Sequence, residues 1–323
     1  MHFGGNFGFC ILIFTFLMYD LIIIGAGPAG LAASIYASRY KLKHLIIGEE
    51  VGGQIMKASR IENWPGEESI TGMQLAENFR KQVEKLGGEI INIGVDDIEK
   101  LEGGFRIVTD DEKVFEAKNI IFALGMKPRK MNLPKEDDFI GKGISYCATC
   151  DAMFFKNKDV VIIGGGDSAA TAALHLAEFA NSVQLLYKNG TKIFEPVWEE
   201  RILENGKITL ESFENILEII GESKIEGIAY EIQDGQRKEL KVQGIFIEIG
   251  STPGAVIAKD LGVETDEHEF IIVKSDQRTN IEGVYAAGDI TTASNKLRQI
   301  VTAAAEGAIA ASSVYKTIKL GKK

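Results

Sequence analysis

Cysteine, proline and positive charge are all scarce in this sequence. Three cysteines in 323 residues are too few for the disulfide framework of a small secreted protein, so we expect a reducing, cytoplasmic location. Six prolines against 35 glycines leave little room for disordered tails. Because 46 acidic residues outnumber 36 Lys and Arg, for a net charge of −10, the basic face of a nucleic-acid-binding protein is not expected.

A membrane-spanning run is also missing. The apolar segment Phe7–Met18 is shorter than the ~20 residues that cross a bilayer. No Lys or Arg precedes it and no small-residue cleavage site follows it, which argues against a signal peptide. We therefore predict no membrane association and interpret residues 1–17 as an extension from a misassigned start codon, with Cys10 outside the working protein. A functional anchor is the alternative.

The sequence does contain glycine-rich nucleotide motifs. The apolar run Leu21–Ile24 precedes Gly25, Gly27 and Gly30, the G-x-G-x-x-G turn that joins a buried strand to a helix facing a dinucleotide pyrophosphate. The acidic pair Glu49–Glu50 follows the next apolar run, where a carboxylate would meet a ribose hydroxyl. This context favours a dinucleotide site over a chance glycine turn.

A second motif follows the cysteines. In "VVIIGGGDSAATAAL", the three fingerprint positions are occupied by Gly164, Gly166 and Ala169. Two Rossmann-type units in one chain predict an α/β fold with two three-layer nucleotide-binding domains.

Near the C-terminus, the sequence predicts a short strand, Val284–Ala287, that ends at Gly288–Asp289, and a helix from about Gln299. A carboxylate at such a strand end fits the ribityl chain of a flavin. Taken alone, the pattern is better explained by an ordinary Gly-Asp turn.

Two of the three cysteines, Cys147 and Cys150, form a C-x-x-C motif that is followed by Asp151. Such a pair accepts two electrons and passes them on by thiol–disulfide exchange. Half of a zinc site is the alternative, but the sequence contains no second C-x-x-C, and its four histidines are not spaced as zinc ligands. We therefore predict a redox dithiol and no metal.

Taken in order, these motifs resemble the low-molecular-weight, FAD-dependent thioredoxin reductases. The resemblance extends from Met18 nearly to the C-terminus. Its motifs are "GAGPAG", "GGQ" at Gly52–Gln54, "IENWPG" at Ile61–Gly66, "CATCD" at Cys147–Asp151, "GGGDSA" at Gly164–Ala169, "YAAGD" at Tyr285–Asp289 and "RQI" at Arg298–Ile300.

The resemblance implies an FAD-binding domain formed by residues 18–125 and 255–323. A second, pyridine-nucleotide-like domain, residues 126–254, would be inserted into it and would carry the dithiol. The segments "ALGMKP" and "EIGSTPG" fit as the connecting strands. Rotation about them is expected, because the dithiol has to meet both the flavin and a whole protein. The family is usually homodimeric, and we carry that expectation over.

The resemblance also implies site residues. Around FAD it places Gly25, Gly27, Pro28, Ala29, Gly30, Glu49, Gly52, Gly53, Gln54, Asn63, Val95, Gly288, Asp289, Arg298, Gln299 and Ile300. Around a pyridine nucleotide it places Gly164, Gly166, Asp167, Ser168 and Lys188. Cys150 would receive electrons from the flavin, Cys147 would attack the disulfide of a thioredoxin-like partner, and Asp151 would be the general acid.

The sequence departs from NADPH-using members of this family. Thr171–Ala172 replaces their acidic pair, and Tyr187–Ile193 replaces the arginine cluster that holds the 2′-phosphate. Lys188 and Lys192 remain as phosphate contacts, but lysine lacks the bidentate fork of arginine. No acidic residue ends that strand to indicate NAD. The donor is therefore open between NADPH, NADH, ferredoxin and a deazaflavin.

Ferredoxin is usually acidic, so a ferredoxin donor would need a basic patch, for which Lys316–Lys323 is a weak candidate. A solvated basic tail is the better explanation of that segment. The leading prediction remains a thioredoxin-disulfide reductase. The alternatives are a flavin-dependent dithiol oxidase that passes electrons to oxygen, and a redox sensor or binding module without turnover. The intact set of Cys147, Cys150 and Asp151 argues against the last.

Overall fold

The computed structural model describes residues 18–321. The interpretation of residues 1–17 and of Cys10 lies outside the described residues, as does the end of the basic segment, Lys322–Lys323. Within residues 18–321, no helix has the length and apolarity required to cross a membrane.

A five-stranded parallel sheet is built from the two ends of the described chain. Its strands, from one edge to the other, are β18 (Val284–Ala286), β7 (Ile120–Phe122), β1 (Leu21–Ile24), β2 (His44–Ile47) and β3 (Glu89–Ile91). All four residues of β1 are almost completely buried, because this central strand is covered on both faces. The predicted strands at Leu21–Ile24 and near Val284 are therefore confirmed.

The side chains of β1 alternate between two cores, as the period of a strand requires. Leu21 and Ile23 pack against helices, whereas Ile22 and Ile24 face an antiparallel sheet. The helical layer contains α1 (Pro28–Arg39), α2 (Gly72–Lys85) and α8 (Ile300–Leu320). The opposite layer contains β4 (Val95–Leu101), β5 (Gly104–Thr109), β6 (Val114–Ala117) and α7 (Val256–Asp260).

A second five-stranded parallel sheet is formed by the middle of the chain. Its strands, in order, are β12 (Ile208–Phe213), β11 (Ser182–Lys188), β10 (Asp159–Ile163), β16 (Gly244–Ile247) and β9 (Ile144–Ser145). One face packs on α4 (Ala148–Asp151), α5 (Asp167–Ala177) and α6 (Pro196–Glu204). The other packs on α3 (Glu136–Phe139), β13 (Asn215–Ile220), β14 (Gly227–Glu231) and β15 (Arg237–Leu240). The predicted α/β fold with two three-layer units is confirmed.

The chain passes between the two sheets at two places that lie side by side. The outgoing strand β8 (Met126–Pro128) pairs antiparallel with the returning strand β17 (Ser251–Pro253), and Met126 lies opposite Pro253. The N–H of Gly254 donates to the carbonyl oxygen of Gly125 at 3.2 Å. This two-stranded link joins the units at one edge of the cleft between them.

Candidate active site: a disulfide and two glycine turns around a cleft

In the first glycine turn, Gly25 and Gly30 have no room for a side chain, whereas Gly27 does. Gly25 has φ +113°, and a Cβ there would lie 2.2 Å from the carbonyl oxygen of Ala123. A Cβ on Gly30 would lie 1.9 Å from the carbonyl oxygen of Gly25. A Cβ on Gly27 would meet no heavy atom within 4 Å. Gly27 therefore borders open space at the N-terminus of α1, where a pyrophosphate can approach the backbone.

Other residues of the predicted FAD set surround this turn. A Cβ built on Gly53 would lie 3.2 Å from the Cα atom of Gly27, and one on Gly288 would lie 2.9 Å from the Cβ of Ala29. Asn63 Nδ2 donates to Gln299 Oε1 at 3.0 Å. The structure thus brings distant motifs of the sequence to one end of the first sheet.

The remaining members of the set lie at element ends around the same sheet. Pro28 is the first residue of α1 and Ile300 the first of α8, while Val95 begins β4. Glu49 Oε1 would lie 2.9 Å from a Cβ built on Gly94. Gly52, with φ +96°, precedes a 3₁₀ helix, Gly53–Lys57. Gln54 Nε2 donates to the carbonyl oxygen of Met126 at 2.9 Å, and the Arg298 guanidinium lies 4.2 Å from the ring centre of Phe270.

Asp289 is placed to hold a polar ligand. Its half-buried carboxylate accepts no hydrogen bond from any residue between 18 and 321. The pKa of Asp289 is raised to about 6: burial is the main cause, Arg298 opposes the shift, and the nearby Glu306 adds to it. A ligand hydroxyl would supply the missing donor. Asp289 therefore fits the ribityl part of FAD, and the open space at Gly27 fits its pyrophosphate.

Glu306 is a residue that the sequence prediction missed. It is buried on α8 and accepts hydrogen bonds from the Gly288 N–H at 2.8 Å and from Thr291 Oγ1 at 2.9 Å. It therefore fixes the turn that carries Asp289. The available signal was one carboxylate within an alanine-rich helical stretch, since buried acids are rare unless they are paired.

The two cysteines form a disulfide, with Cα atoms 5.3 Å apart. Cys150 is exposed and Cys147 is half-buried. Thr149, between them, donates through Oγ1 to the carbonyl oxygen of Lys57 at 2.5 Å, which ties α4 to the 3₁₀ helix beside the first glycine turn. Asp151, the last residue of α4, is half-buried and follows Cys150 directly.

A cavity of about 850 Å³ connects the two predicted nucleotide sites. One wall is formed by Gln54, Lys57, Arg298 and Gln299, and the opposite wall by Gly164, Gly166, Asp167, Ser168 and Lys188. Cofactor-binding residues predicted from separate parts of the sequence therefore face one another across a single cleft.

Comparison with known proteins identifies the family to which this chain belongs. Residues 19–307 match the model for pyridine nucleotide-disulphide oxidoreductases. A thioredoxin reductase from Peptoclostridium acidaminophilum is 37% identical over 94% of this chain and 98% of its own length. The Lactococcus lactis thioredoxin reductase in its FR conformation covers 94% of this chain and 99% of its own, with 37% identity and a TM-score of 0.89. That of Streptococcus pyogenes, with 36% identity and the same coverage, has a TM-score of 0.61.

The chain belongs to the thioredoxin reductases of the pyridine nucleotide-disulphide oxidoreductase family. Members of this family are FAD flavoenzymes, so the predicted family and flavin cofactor are confirmed.

The second glycine turn of this family member keeps its shape. A Cβ on Gly164 would lie 2.3 Å from the carbonyl oxygen of Glu248, whereas one on Gly166 would meet no heavy atom within 4 Å. Gly166 thus corresponds to Gly27 of the first turn. Ala169 is completely buried, so this small residue permits the close packing of α5 on the sheet.

Most charged side chains around the second glycine turn interact with other groups of the protein. Asp167 Oδ1 accepts from the backbone N–H of Glu195 at 2.7 Å, and Lys192 forms an ion pair with Glu199. Lys188 is exposed and lines the cavity, as does Glu214, whose Oε1 accepts from Asn189 Nδ2 at 3.0 Å. A carboxylate that the sequence pattern of β11 did not reveal therefore comes from the end of the neighbouring strand β12.

Glu248, at the end of β16, is a second acid in the cleft that the sequence prediction missed. Burial raises the pKa of Glu248 to about 7, and Lys57 opposes the shift. A raised pKa means that the folded state binds the proton more tightly than the unfolded state. The cost of ionisation is absent below pH ~4.5, grows as the pH rises through 7 and is complete above it.

We therefore expect Glu248→Gln to raise the free energy of unfolding by about 1–3 kcal/mol at pH 8 and to change it little at pH 5. Thermal unfolding of the FAD-loaded protein at both pH values measures this difference. Glu222→Gln is the matched control, because Glu222 is exposed. Equal gains at the two pH values would show that ionisation of Glu248 is not the cause.

Proposed function

We propose that this protein is an FAD-dependent reductase of thioredoxin-like protein disulfides that acts through Cys147 and Cys150. The observation that carries the proposal is the placement of the disulfide. Its helix is hydrogen-bonded to the segment beside the first glycine turn through Thr149, while Cys150 is exposed to a partner. A site of this kind serves a relay between a bound flavin and an external disulfide.

The proposal includes the division of the chain. Residues 18–125 and 255–323 would form the FAD-binding domain, and residues 126–254 the inserted domain. Two relatives with nearly the same identity and coverage differ in TM-score, 0.89 against 0.61. This difference supports two arrangements of the domains, related by rotation about β8 and β17. A cytoplasmic homodimer is proposed with it, from the family and from the scarcity of cysteine.

The proposed residues act as follows. FAD, when bound, supplies the electron pair that reduces the Cys147–Cys150 disulfide. One of the two thiolates then attacks the partner's disulfide, which forms a mixed disulfide and releases one partner sulfur. The other cysteine attacks the mixed disulfide, releases the second partner sulfur and restores the Cys147–Cys150 bond. The partner gains two electrons and two protons, and Asp151 is adjacent to Cys150 to supply a proton.

The exposure of the two sulfurs bears on the order of attack. The sequence prediction assigned the first attack to Cys147, and this assignment stays a prediction. Because exchange requires that the partner's sulfur reach the thiolate, the exposure of Cys150 favours Cys150 as the first attacker. The N–H of Cys150 donates to Cys147 Sγ at 3.2 Å, which favours a thiolate on Cys147 for the second attack.

For the donor, we infer a pyridine nucleotide, with NADH preferred to NADPH. Open space at Gly166 and the cavity that continues to Gln54 and Arg298 suit a dinucleotide. Lys188 is accompanied there by the carboxylate of Glu214, which disfavours an additional 2′-phosphate.

The test supplies NADH, NADPH and reduced ferredoxin separately to the FAD-loaded protein without oxygen, and follows loss of the yellow absorbance before oxidised thioredoxin is added. We expect bleaching to be fastest with NADH, followed by formation of thioredoxin thiols. Bleaching by ferredoxin alone would overturn the donor assignment. Failure of the chemically reduced protein to reduce thioredoxin would overturn the function.

A further inference from the structure

Glu248 lies at the point of the second sheet where a nucleotide is expected to bind. The strands that follow β10 along the chain, β11 and β12, lie on one side of it, and the later strand β16 lies on the other. Ligands of such sheets bind outside the carboxyl ends of the strands at this change of direction. Gly164 follows β10 and Glu248 follows β16, and a Cβ on Gly164 would lie 2.3 Å from the carbonyl oxygen of Glu248. Glu248 therefore borders the second glycine turn directly.

The side chain of Glu248 faces the cleft between the two sheets. The Glu248 N–H donates to the carbonyl oxygen of Ile163 at 2.8 Å, so the parallel pairing continues one residue beyond β16. Because side chains alternate along a strand, Glu248 lies on the same face as Phe246, which packs against α4 and α5. The carboxylate interacts electrostatically with Lys57, a residue of the 3₁₀ helix beside the first glycine turn. Both residues line the cavity of about 850 Å³.

The carboxylate of Glu248 has no partner within the described chain. No residue between 18 and 321 donates a hydrogen bond to it or forms an ion pair with it. Burial raises the pKa of Glu248 to about 7 and outweighs the opposing effect of Lys57. The other ionisable side chains that line the cavity are Arg129, Tyr146, Asp167, Lys188, Glu214 and Arg298. Glu248 thus changes its charge near neutral pH inside the proposed donor site.

A dinucleotide in this cleft would bring its own negative charge close to Glu248. The open position at Gly166 admits a pyrophosphate, and the cavity continues past Glu248 to Gln54 and Arg298. An ionised carboxylate beside this path repels the phosphates, and the repulsion is strong because the site is partly shielded from water. A neutral carboxyl group exerts no such repulsion.

We propose that Glu248 makes donor binding depend on its protonation: the pyridine nucleotide binds when Glu248 is neutral and is repelled when Glu248 is ionised. This proposal rests on the proposed function, specifically on the pyridine-nucleotide donor. Because the two equilibria are linked, a bound nucleotide must strengthen the hold of Glu248 on its proton by the same factor. At neutral pH the nucleotide therefore binds together with a proton, and its affinity falls as the pH rises.

The test measures binding rather than turnover. FAD-loaded protein is titrated at pH 6 and at pH 8.5 with tetrahydro-NAD, which has the charge of NADH but cannot transfer a hydride. The variants are Glu248→Gln, which is neutral at both pH values, and the control Glu222→Gln, because Glu222 is exposed and does not line the cavity. Calorimetric titration at pH 7.5 in buffers of different ionisation enthalpy counts the protons that are taken up on binding.

We expect the dissociation constant of the wild type to rise about five- to tenfold from pH 6 to pH 8.5. Uptake of about half a proton should accompany binding at pH 7.5. Glu222→Gln should behave as the wild type. Glu248→Gln should bind equally well at both pH values, take up no proton and bind more tightly than the wild type at pH 8.5.

Equal pH dependence in the wild type and in Glu248→Gln would overturn the proposal, as would weaker binding by Glu248→Gln than by the wild type at pH 6. Absence of binding in all three proteins at both pH values would overturn it together with the pyridine-nucleotide donor. The proposed function is tested without any nucleotide, because failure of the dithionite-reduced protein to reduce thioredoxin would overturn that function whatever the titrations show. The two failures are therefore distinguishable.

Discussion

Replacing both Cys147 and Cys150 by serine is expected to lower thioredoxin reduction by a factor on the order of 10³ or more. Serine cannot form or exchange a disulfide, so the route from the flavin to the partner is interrupted. The residues proposed to hold FAD, around Gly27 and Asp289, are separate from the disulfide, so FAD content and bleaching by the donor should be unchanged. Thiol formation on thioredoxin and anaerobic absorbance measure the two properties. Substantial thioredoxin reduction by the double variant would exclude the dithiol from the reaction.

The single variants assign the two sulfurs. Cys147→Ser leaves the exposed Cys150 without a resolving partner, so incubation with thioredoxin should accumulate a mixed disulfide that mass spectrometry detects. Cys150→Ser leaves the less accessible Cys147 and should accumulate little. The reverse pattern would assign the first attack to Cys147, as the sequence prediction has it.

Valine substitutions in the first glycine turn are expected to separate folding from FAD binding. In Gly30→Val the new side chain would collide with the carbonyl oxygen of Gly25, 1.9 Å from a Cβ, and we expect a loss of about 3 kcal/mol or more of stability and no FAD. In Gly27→Val the side chain enters open space, and the extended backbone at this residue, φ −78° and ψ −173°, accepts valine. Stability without FAD should be retained, while FAD affinity falls about 100-fold because the side chain occupies the path of the pyrophosphate.

Thermal unfolding without FAD and titration with FAD measure these two effects. Gly206→Val is the control, because a Cβ there also meets no heavy atom within 4 Å and Gly206 lies in the inserted segment. A Gly27→Val protein that binds FAD normally would remove this glycine from the cofactor site.

The parts of the site that depend on short stretches of chain were predictable from the sequence. Leu21–Ile24 with its glycines specifies strand, turn and helix locally, and α8 begins at Ile300 with Gln299 as its N-cap. Contacts between distant segments left no comparable pattern. Three such contacts depend on the packing of whole elements. They are the hydrogen bond that the Gly288 N–H donates to Glu306, the close approach of the Glu248 carbonyl oxygen to Gly164, and the ion pair of Arg201 with Glu62 at 2.8 Å.

The paired strands β8 and β17 also bear on how such a chain arises. Gly125 and Gly254 are hydrogen-bonded neighbours. A tight reverse turn between them would therefore connect the two parts of the unit built on the first sheet without displacing any of its strands. The middle segment therefore behaves as an insertion whose first and last residues lie side by side. Gain or exchange of such an insertion by recombination would leave the first sheet and its covering layers intact.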